Sequence, residues 1–151
     1  HLKLESKVDV VVLAPHWGDE YRSSPSARQV SLADYFFTKG ADLIFGAHPH
    51  VLQKAEMKVL KDELGETKNR LVFYSLGNFI SNQLWLGVPQ GTGAIARVKI
   101  EKLVGTHQVI SYDVVPVATR ANPIRLEVLR DKSSPNYKEV VSKGLKIANS
   151  Y

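Results

Sequence analysis

The sequence predicts an α/β protein built as a layered sheet with helices packed on it. Three observations carry this. Residues 8–14, 42–45 and 71–74 are short, nearly continuous apolar runs rich in β-branched and aromatic side chains, the pattern of strands buried in a sheet. Between the first two lies a stretch with apolar residues at helical spacing, which makes a strand–helix–strand unit with parallel strands and a right-handed crossover. Beyond residue 90 the chain reads mostly as strands, so helices cover an open sheet rather than alternate along its whole length.

Taken in order, residues 1–7 read as the tail of a helix or an entry segment. Pro15 ends the first strand, and His16-Trp17-Gly18-Asp19-Glu20-Tyr21 leaves it as a loop. Ser24 is the expected N-cap, with Pro25 at the first helical position, and Val30, Ala33, Phe36 and Phe37 form the apolar stripe that Gly40 terminates. The second strand, residues 42–45, runs into Gly46-Ala47-His48-Pro49-His50. Residues 51–60 read as a strand, 61–69 as a charged, exposed turn, and 71–74 as a strand that ends at Ser75-Leu76-Gly77-Asn78-Phe79. Residues 82–93, with three Gly and one Pro, read as a loop able to close over a ligand. Residues 94–103 and 108–117 form an antiparallel pair joined across Gly105-Thr106-His107, and 124–129 a last strand. Tyr137, Val140, Val141, Leu145 and Ala148 mark a C-terminal amphipathic helix interrupted by Gly144.

At 151 residues the chain reads as a single domain over 1–151, with an ordinary globular composition of 44% apolar and 23% charged residues. No apolar run reaches the ~18 residues that a membrane-spanning helix needs. The first residues form neither a signal peptide nor a natural initiator, and read as the middle of a longer protein. With no cysteine in the chain, disulfides, a thiol nucleophile and zinc–thiolate sites are excluded. The net charge of +5 is scattered, with no basic run and no aromatic-interleaved basic motif, so no nucleic-acid partner is expected. The charge favours an anionic partner through long-range attraction.

The chemistry concentrates on one sheet edge. His16, His48 and His50 leave the C-terminal ends of adjacent strands, the place where open α/β sheets bind ligands. Pro49 stiffens the loop and is expected to hold His48 extended, so that both rings can face one small volume. Neutral imidazoles suit Zn, Mn, Fe or Ni, particularly where carboxylates join them. Glu20 and Asp19 lie within reach, either to orient a ligand histidine or, for Glu20, to transfer protons; Asp19 also reads as a loop residue bonded to its own backbone. Trp17 and Tyr21 would shield such a site from water. Asn78 sits at a third strand end, where its amide can orient a ligand or a substrate oxygen, although Asn after Gly is also a common turn residue. Ser75 lacks the glycine two positions earlier that a nucleophile elbow requires. His107 reads as a surface residue in a hairpin turn, and His1 as a terminal one.

Three of these segments, His16 to Tyr21, Gly40 to Val51 and Tyr74 to Phe79, resemble the CapA family of bacterial capsule proteins, also called PgsA-like, of poly-γ-glutamate synthesis and export. The resemblance covers roughly residues 8–98. That family is similar to calcineurin-like metallophosphoesterases, so the resemblance implies a metallophosphoesterase-type fold of which this chain is the C-terminal half. It implies metal ligation by His16, His48 and His50 of divalent Mn, Fe or Zn, dinuclear in the full-length protein, with Glu20 and Asn78 assisting catalysis. His48 and His50 would ligate different metals, and His16 would join the second. The superfamily's earliest ligands, an Asp and the Gly-Asp and Asn-His segments, have no counterpart in residues 1–15. The resemblance therefore also implies an incomplete dinuclear shell and strand edges that pair with the N-terminal half of the same domain or with another copy of the chain. An anionic capsular polymer or its synthesis complex is the implied partner. The implied location is extracytoplasmic, at the membrane-associated cell surface, through a segment not present in this chain. A non-catalytic accessory subunit that binds or guides the anionic polymer is the alternative the same resemblance allows.

Overall fold

The computed structural model describes residues 8–103 and 106–148, so the entry segment 1–7, His1 and Gly105 lie outside the described residues. The first sheet has the order β1-β2-β4-β3, with β1 Val12–Leu13, β2 Leu43–Phe45, β3 Ala55–Lys61 and β4 Thr67–Phe73. β1, β2 and β4 are mutually parallel, and β3 runs antiparallel on β4. The second sheet is the antiparallel series β5-β6-β7, with β5 Thr92–Leu103, β6 Thr106–Arg120 and β7 Arg125–Val128. Among the described residues, two α-helices, α1 Ala27–Thr38 and α2 Pro135–Ser142, and a 3-10 turn at Gln83–Leu86 join the sheets in an α/β arrangement.

The first strand is shorter and less buried than its apolar run predicts. Only Val12 and Leu13 pair, and Val12 is half exposed, because β1 is an edge of the sheet among the described residues. A continuous apolar run signals burial on both faces only where neighbours cover both.

The helix between β1 and β2 starts two residues later than expected. Ser26, not Ser24, is its N-cap: the Ser26 hydroxyl accepts from the Gln29 N–H, and the Gln29 side chain accepts from the Ser26 N–H. This reciprocal pair outcompetes a lone serine because it satisfies two backbone donors at once. Ala33 and Phe37 point inward to join Trp17, Ile44, Val72 and Tyr74 in one apolar cluster. Full burial of a Phe side chain is worth about 1.5–3 kcal/mol. Gly40, at φ +96°, ends the helix as expected, with its N–H and that of Ala41 donating back to Phe37 and Phe36.

The segment 61–69 is only in part an exposed turn. β4 already begins at Thr67, and Asp62 and Lys68 are buried. Asp62 accepts from the N–H groups of Leu64 and Glu66 and, with its other oxygen, from Arg70. Arg70 is fully buried between Asp62 and Asp42 and also donates to the Ala41 carbonyl. His107, expected on the surface, is buried with Nε2 3.2 Å from Asp42 Oδ1. The hairpin β5–β6 is long enough to carry His107 back over the first sheet.

Between the two sheets lies the main core. Leu43, Leu52, Leu71 and Phe73 from the first sheet side meet Ala94, Val109 and Val114 from the second, with Val140 of α2. The helix α2 is capped by Ser134 with Pro135 in its first turn, and it stops at Gly144, at φ +65°. Leu145 and Ala148 therefore lie beyond the helix, against the expectation of one stripe through them. The chain there turns extended and bonds β6, Val114 donating to Lys146 and Ala148 donating to Val114.

Candidate metal centre

All three parallel strands deliver site residues at their C-terminal ends. His16 follows β1, the His48–His50 loop follows β2, and Asn78 follows β4. The two histidine loops are stitched together beyond the regular strands: Ala47 donates to Pro15 (3.0 Å), Trp17 donates to Ala47 (3.0 Å), and Tyr21 donates to Pro49 (2.7 Å). His16 and Ala47 form a parallel bridge. The expected common edge is thus a bonded unit.

The loop backbone is not as expected. His48 precedes a proline, a position that favours extended backbone, yet its φ is +101°. His50 (φ +57°) and Tyr21 (φ +62°) are also left-handed. Such conformations cost non-glycine residues about 1–3 kcal/mol each and persist only where surrounding contacts over-determine them. Here the contacts are the stitches just described, a buried Pro49, and Gly46. A methyl group at Gly46 would lie 2.1 Å from the Tyr74 carbonyl oxygen and 2.4 Å from Trp17 Nε1, so only glycine leaves room for the bond between those two groups.

Trp17 is not the shield the sequence predicts. It is 7% exposed, donates Nε1–H to the Tyr74 carbonyl (2.9 Å) and stacks near Phe36 and Tyr74, so it anchors the first loop from below. Tyr21 stands beside the site, with its exposed ring 6.1 Å from that of His50. Asp19 is exposed and lines a depression beside His16 with Gly18, Ser26 and Arg28.

Of the predicted residues, Glu20, His48 and His50 come together. Each offers one ligand atom, and these three atoms all lie within 4.8 Å of one another. The His16 ring is 4.4 Å from the His48 ring, tilted by 44°, and stands at the rim of the group. His50 Nε2 is 3.9 Å from Glu20 Oε1, beyond hydrogen-bond range. Asn78 is buried behind His50, 2.9 Å from its Nδ1. The Asn78 amide nitrogen donates to the Gln90 carbonyl (2.9 Å) and to Gln83 Oε1 (3.2 Å). A carbonyl can only accept, so the amide orientation is fixed, and Asn78 Oδ1 must accept from a protonated His50 Nδ1. With Nδ1 engaged by Asn78, Nε2 is the ring nitrogen left on the Glu20 side, 3.9 Å from its Oε1. That is the arrangement in which a partner behind an imidazole sets its tautomer for ligation. The donor set, two imidazoles and a carboxylate, fits a divalent Zn, Mn or Fe ion.

Two residues that hold this site went unnoticed in the sequence. Gln53 is fully buried; its Nε2 donates to the Arg22 carbonyl (2.8 Å) and the Ser24 carbonyl (3.1 Å), and its Oε1 accepts from Gln29 Nε2 (3.0 Å). Gln29 thereby links the helix cap, the loop of Glu20 and the segment after His50. The Ser26-x-x-Gln29 capping box was a readable signal for Gln29; nothing local marks Gln53.

Residues 2–83 match the family described as bacterial capsule synthesis protein PGA_cap. The chain is 43% identical over 81 residues to the capsule biosynthesis protein CapA of Bacillus anthracis, covering 54% of this chain and 18% of that protein. It is 35% identical over 129 residues to the PGA biosynthesis protein CapA of Bacillus subtilis strain 168, covering 83% of this chain and 30% of that protein. The chain thus spans less than a third of either relative. No helix among the described residues is long and apolar enough to cross a membrane. With more than half its length matched, and with the two histidine loops inside the matched segment, the chain belongs to the bacterial capsule synthesis protein family PGA_cap.

Proposed function

We propose that the chain is the histidine-bearing part of a CapA-type protein of poly-γ-glutamate capsule synthesis, whose site performs metal-assisted hydrolysis or transfer at a phosphate or a related ester or amide. The observation that supports this most is the convergence of Glu20, His48 and His50 within 4.8 Å, at the ends of parallel strands and on strained backbone. In this reading His48 and His50 each ligate a different divalent ion (Mn, Fe or Zn) in the full-length protein, His16 joins the second, and the working location is the cell surface. A bound ion would supply Lewis-acid polarisation of the scissile group and a water acidic enough to attack at neutral pH. The chain's own residues do the rest. Asn78 holds His50 through Nδ1, Tyr21 sets its ring beside that of His50, and Glu20 lies where it can take up a proton or an ion.

The test is metal content and affinity of the purified chain, by elemental analysis and calorimetry, beside His48→Ala and His50→Ala. Stoichiometric metal that both variants lose supports the reading, as does metal-dependent cleavage of an aryl phosphate diester abolished by the same changes. Failure to take up a divalent ion both in this chain and in the full-length protein refutes it. The net charge of +5 favours a second reading, a non-catalytic subunit that binds or guides the anionic polymer. Salt-sensitive binding of poly-γ-glutamate, unchanged in the histidine variants and without metal uptake, would put that reading first.

A further inference from the structure

We infer that the depression beside His16 is a subsite for one amino-acid unit of an amide-linked polymer, with Arg28 binding the unit's free carboxylate and Asp19 accepting from the N–H next to it. The inference rests on the capsule-polymer reading above and deepens it by naming what the site recognises. The depression, of about 440 Å³, has room for such a unit and is lined by His16, Gly18, Asp19, Arg28 and Gln29 among others. His16 also borders the histidine group, its ring 4.4 Å from that of His48, so a unit held here lies beside the candidate metal centre.

Two opposite charges stand on its walls and do not neutralise each other. Both side chains are exposed, and among the described residues no hydrogen bond or ion pair engages the Arg28 guanidinium or the Asp19 carboxylate. Arg70, Arg97 and Arg120, by contrast, each pair with a carboxylate. Arg28 sits in the first turn of α1, where a cation opposes the helix dipole, and no acidic residue of that turn offsets it. Its position therefore serves neither the helix nor a partner in the fold, and a bound anion answers both deficits. An arginine only donates, and an ionised aspartate only accepts. The matching ligand carries an anionic acceptor and a donor close together. An amino-acid unit with a free α-carboxylate beside an amide N–H has both on one carbon, and a γ-linked glutamate is such a unit. A phosphate brings more negative charge, which Asp19 repels.

The walls are set before a ligand arrives. Gly18 holds φ +85°, and a Cβ there would lie 2.6 Å from the Gln29 side chain, so the loop is seated directly on the helix. Gln29 is 2% exposed and fixed by its bonds to Ser26 and Gln53. Asp19 follows Gly18 and Arg28 precedes Gln29, so this one contact sets the spacing of the two charges. A guanidinium placed in this way can take a carboxylate through two parallel N–H bonds, which a lysine cannot.

The test is a titration of the intact chain with tri-γ-glutamate, followed by calorimetry and by backbone amide NMR shifts, with chelator present so that no ion contributes. Wild type is expected to bind the oligomer saturably, with the largest shifts in residues 16–19 and 26–29, and inorganic phosphate is expected not to displace it. Arg28→Gln should weaken binding by about tenfold, and Arg28→Lys should recover only part of that loss. Arg130→Gln removes the same charge from another exposed arginine and should bind within about twofold of wild type, which separates the subsite from general attraction by the net charge of +5. Asp19→Asn should let phosphate compete. Unfolding curves show whether each variant is folded. Wild type that binds no oligomer overturns the inference, as do unchanged affinity in Arg28→Gln, an equal loss in Arg130→Gln, or phosphate that already competes in wild type. Because the titration contains no metal, each of these failures leaves the metal reading to its own test, and a chain that takes up no ion can still bind the oligomer.

Discussion

The buried Gln29–Gln53 pair provides the sharpest test of how the fold holds its site. In Gln53→Met the shape is roughly kept and all three hydrogen bonds are lost. Gln29 Nε2 is then an orphaned donor on a residue only 2% exposed, which costs about 1–3 kcal/mol. The Arg22 and Ser24 carbonyls belong to exposed residues and can turn to water, so each bond there costs about 0.5–1.5 kcal/mol net. The expected destabilisation is about 3 kcal/mol, a large share of the ~5–15 kcal/mol that holds a domain together. With a slope of ~2 kcal/mol per molar, the urea midpoint should fall by about 1.5 M. The measurement is urea unfolding by far-UV circular dichroism with chelator present, so that ion binding does not add its own stabilisation. Because the two glutamines share a bond, Gln29→Met combined with Gln53→Met should cost about 1–2 kcal/mol less than the two single changes added. A loss below about 0.5 kcal/mol for Gln53→Met, or strict additivity in the cycle, would refute the account of these residues as a clamp.

Two further outcomes follow from the buried polar groups. Arg70→Met leaves the Asp42 and Asp62 carboxylates buried without their guanidinium and should cost about 3–5 kcal/mol in the same unfolding assay. In alkaline solution, burial first, and then the nearby Glu56 carboxylate, push the Tyr74 hydroxyl well above its ordinary value of 10.0. The folded state therefore keeps its proton where the unfolded chain loses it, so this contribution is intact below pH 10 and declines as pH rises beyond it. Stability measured between pH 9 and 11 should fall with a slope that Tyr74→Phe reduces by up to about 1.4 kcal/mol per pH unit; Tyr112, also raised by burial, keeps part of the slope in the variant.

What the sequence revealed and what it hid divide along a physical line. The strand–helix–strand unit and the shared edge of His16, His48 and His50 were legible because apolar periodicity and chain direction are local signals. The charged segment 61–69 misled because a charge reads as solvated unless its partner is known, and the partners of Asp62 and Arg70 are eight or more residues apart. His107 misled for the same reason: a turn position says nothing about which surface a long hairpin folds onto. Trp17 lies beside the site but turns beneath it rather than over it, since its direction is set by the space that Gly46 leaves next to Tyr74. The His48 conformation ran against the local preference before proline because stitches to Pro15, Trp17 and Tyr21 fix the loop from outside.

That override can be measured at His48 itself. A φ of +101° lies beyond the left-handed helical region and close to backbone that only glycine adopts freely. His48→Ala and His48→Gly both remove the imidazole, its contact with the His16 ring and any ligation, so the difference between them isolates the backbone. Alanine keeps the Cβ clash, worth about 1–2 kcal/mol in left-handed backbone. Glycine removes the clash but gives the unfolded chain extra freedom, which offsets about 0.5–1 kcal/mol. His48→Gly should therefore be the more stable of the two by about 1 kcal/mol in chelated urea melts, reversing the usual order of alanine over glycine. If the ordinary order holds instead, the loop relaxes once the imidazole is gone, and the strain belongs to the histidine side chain rather than to the stitched backbone. The reversed order would mean that the fold imposes this geometry before any ion arrives, which is what a preorganised binding loop requires.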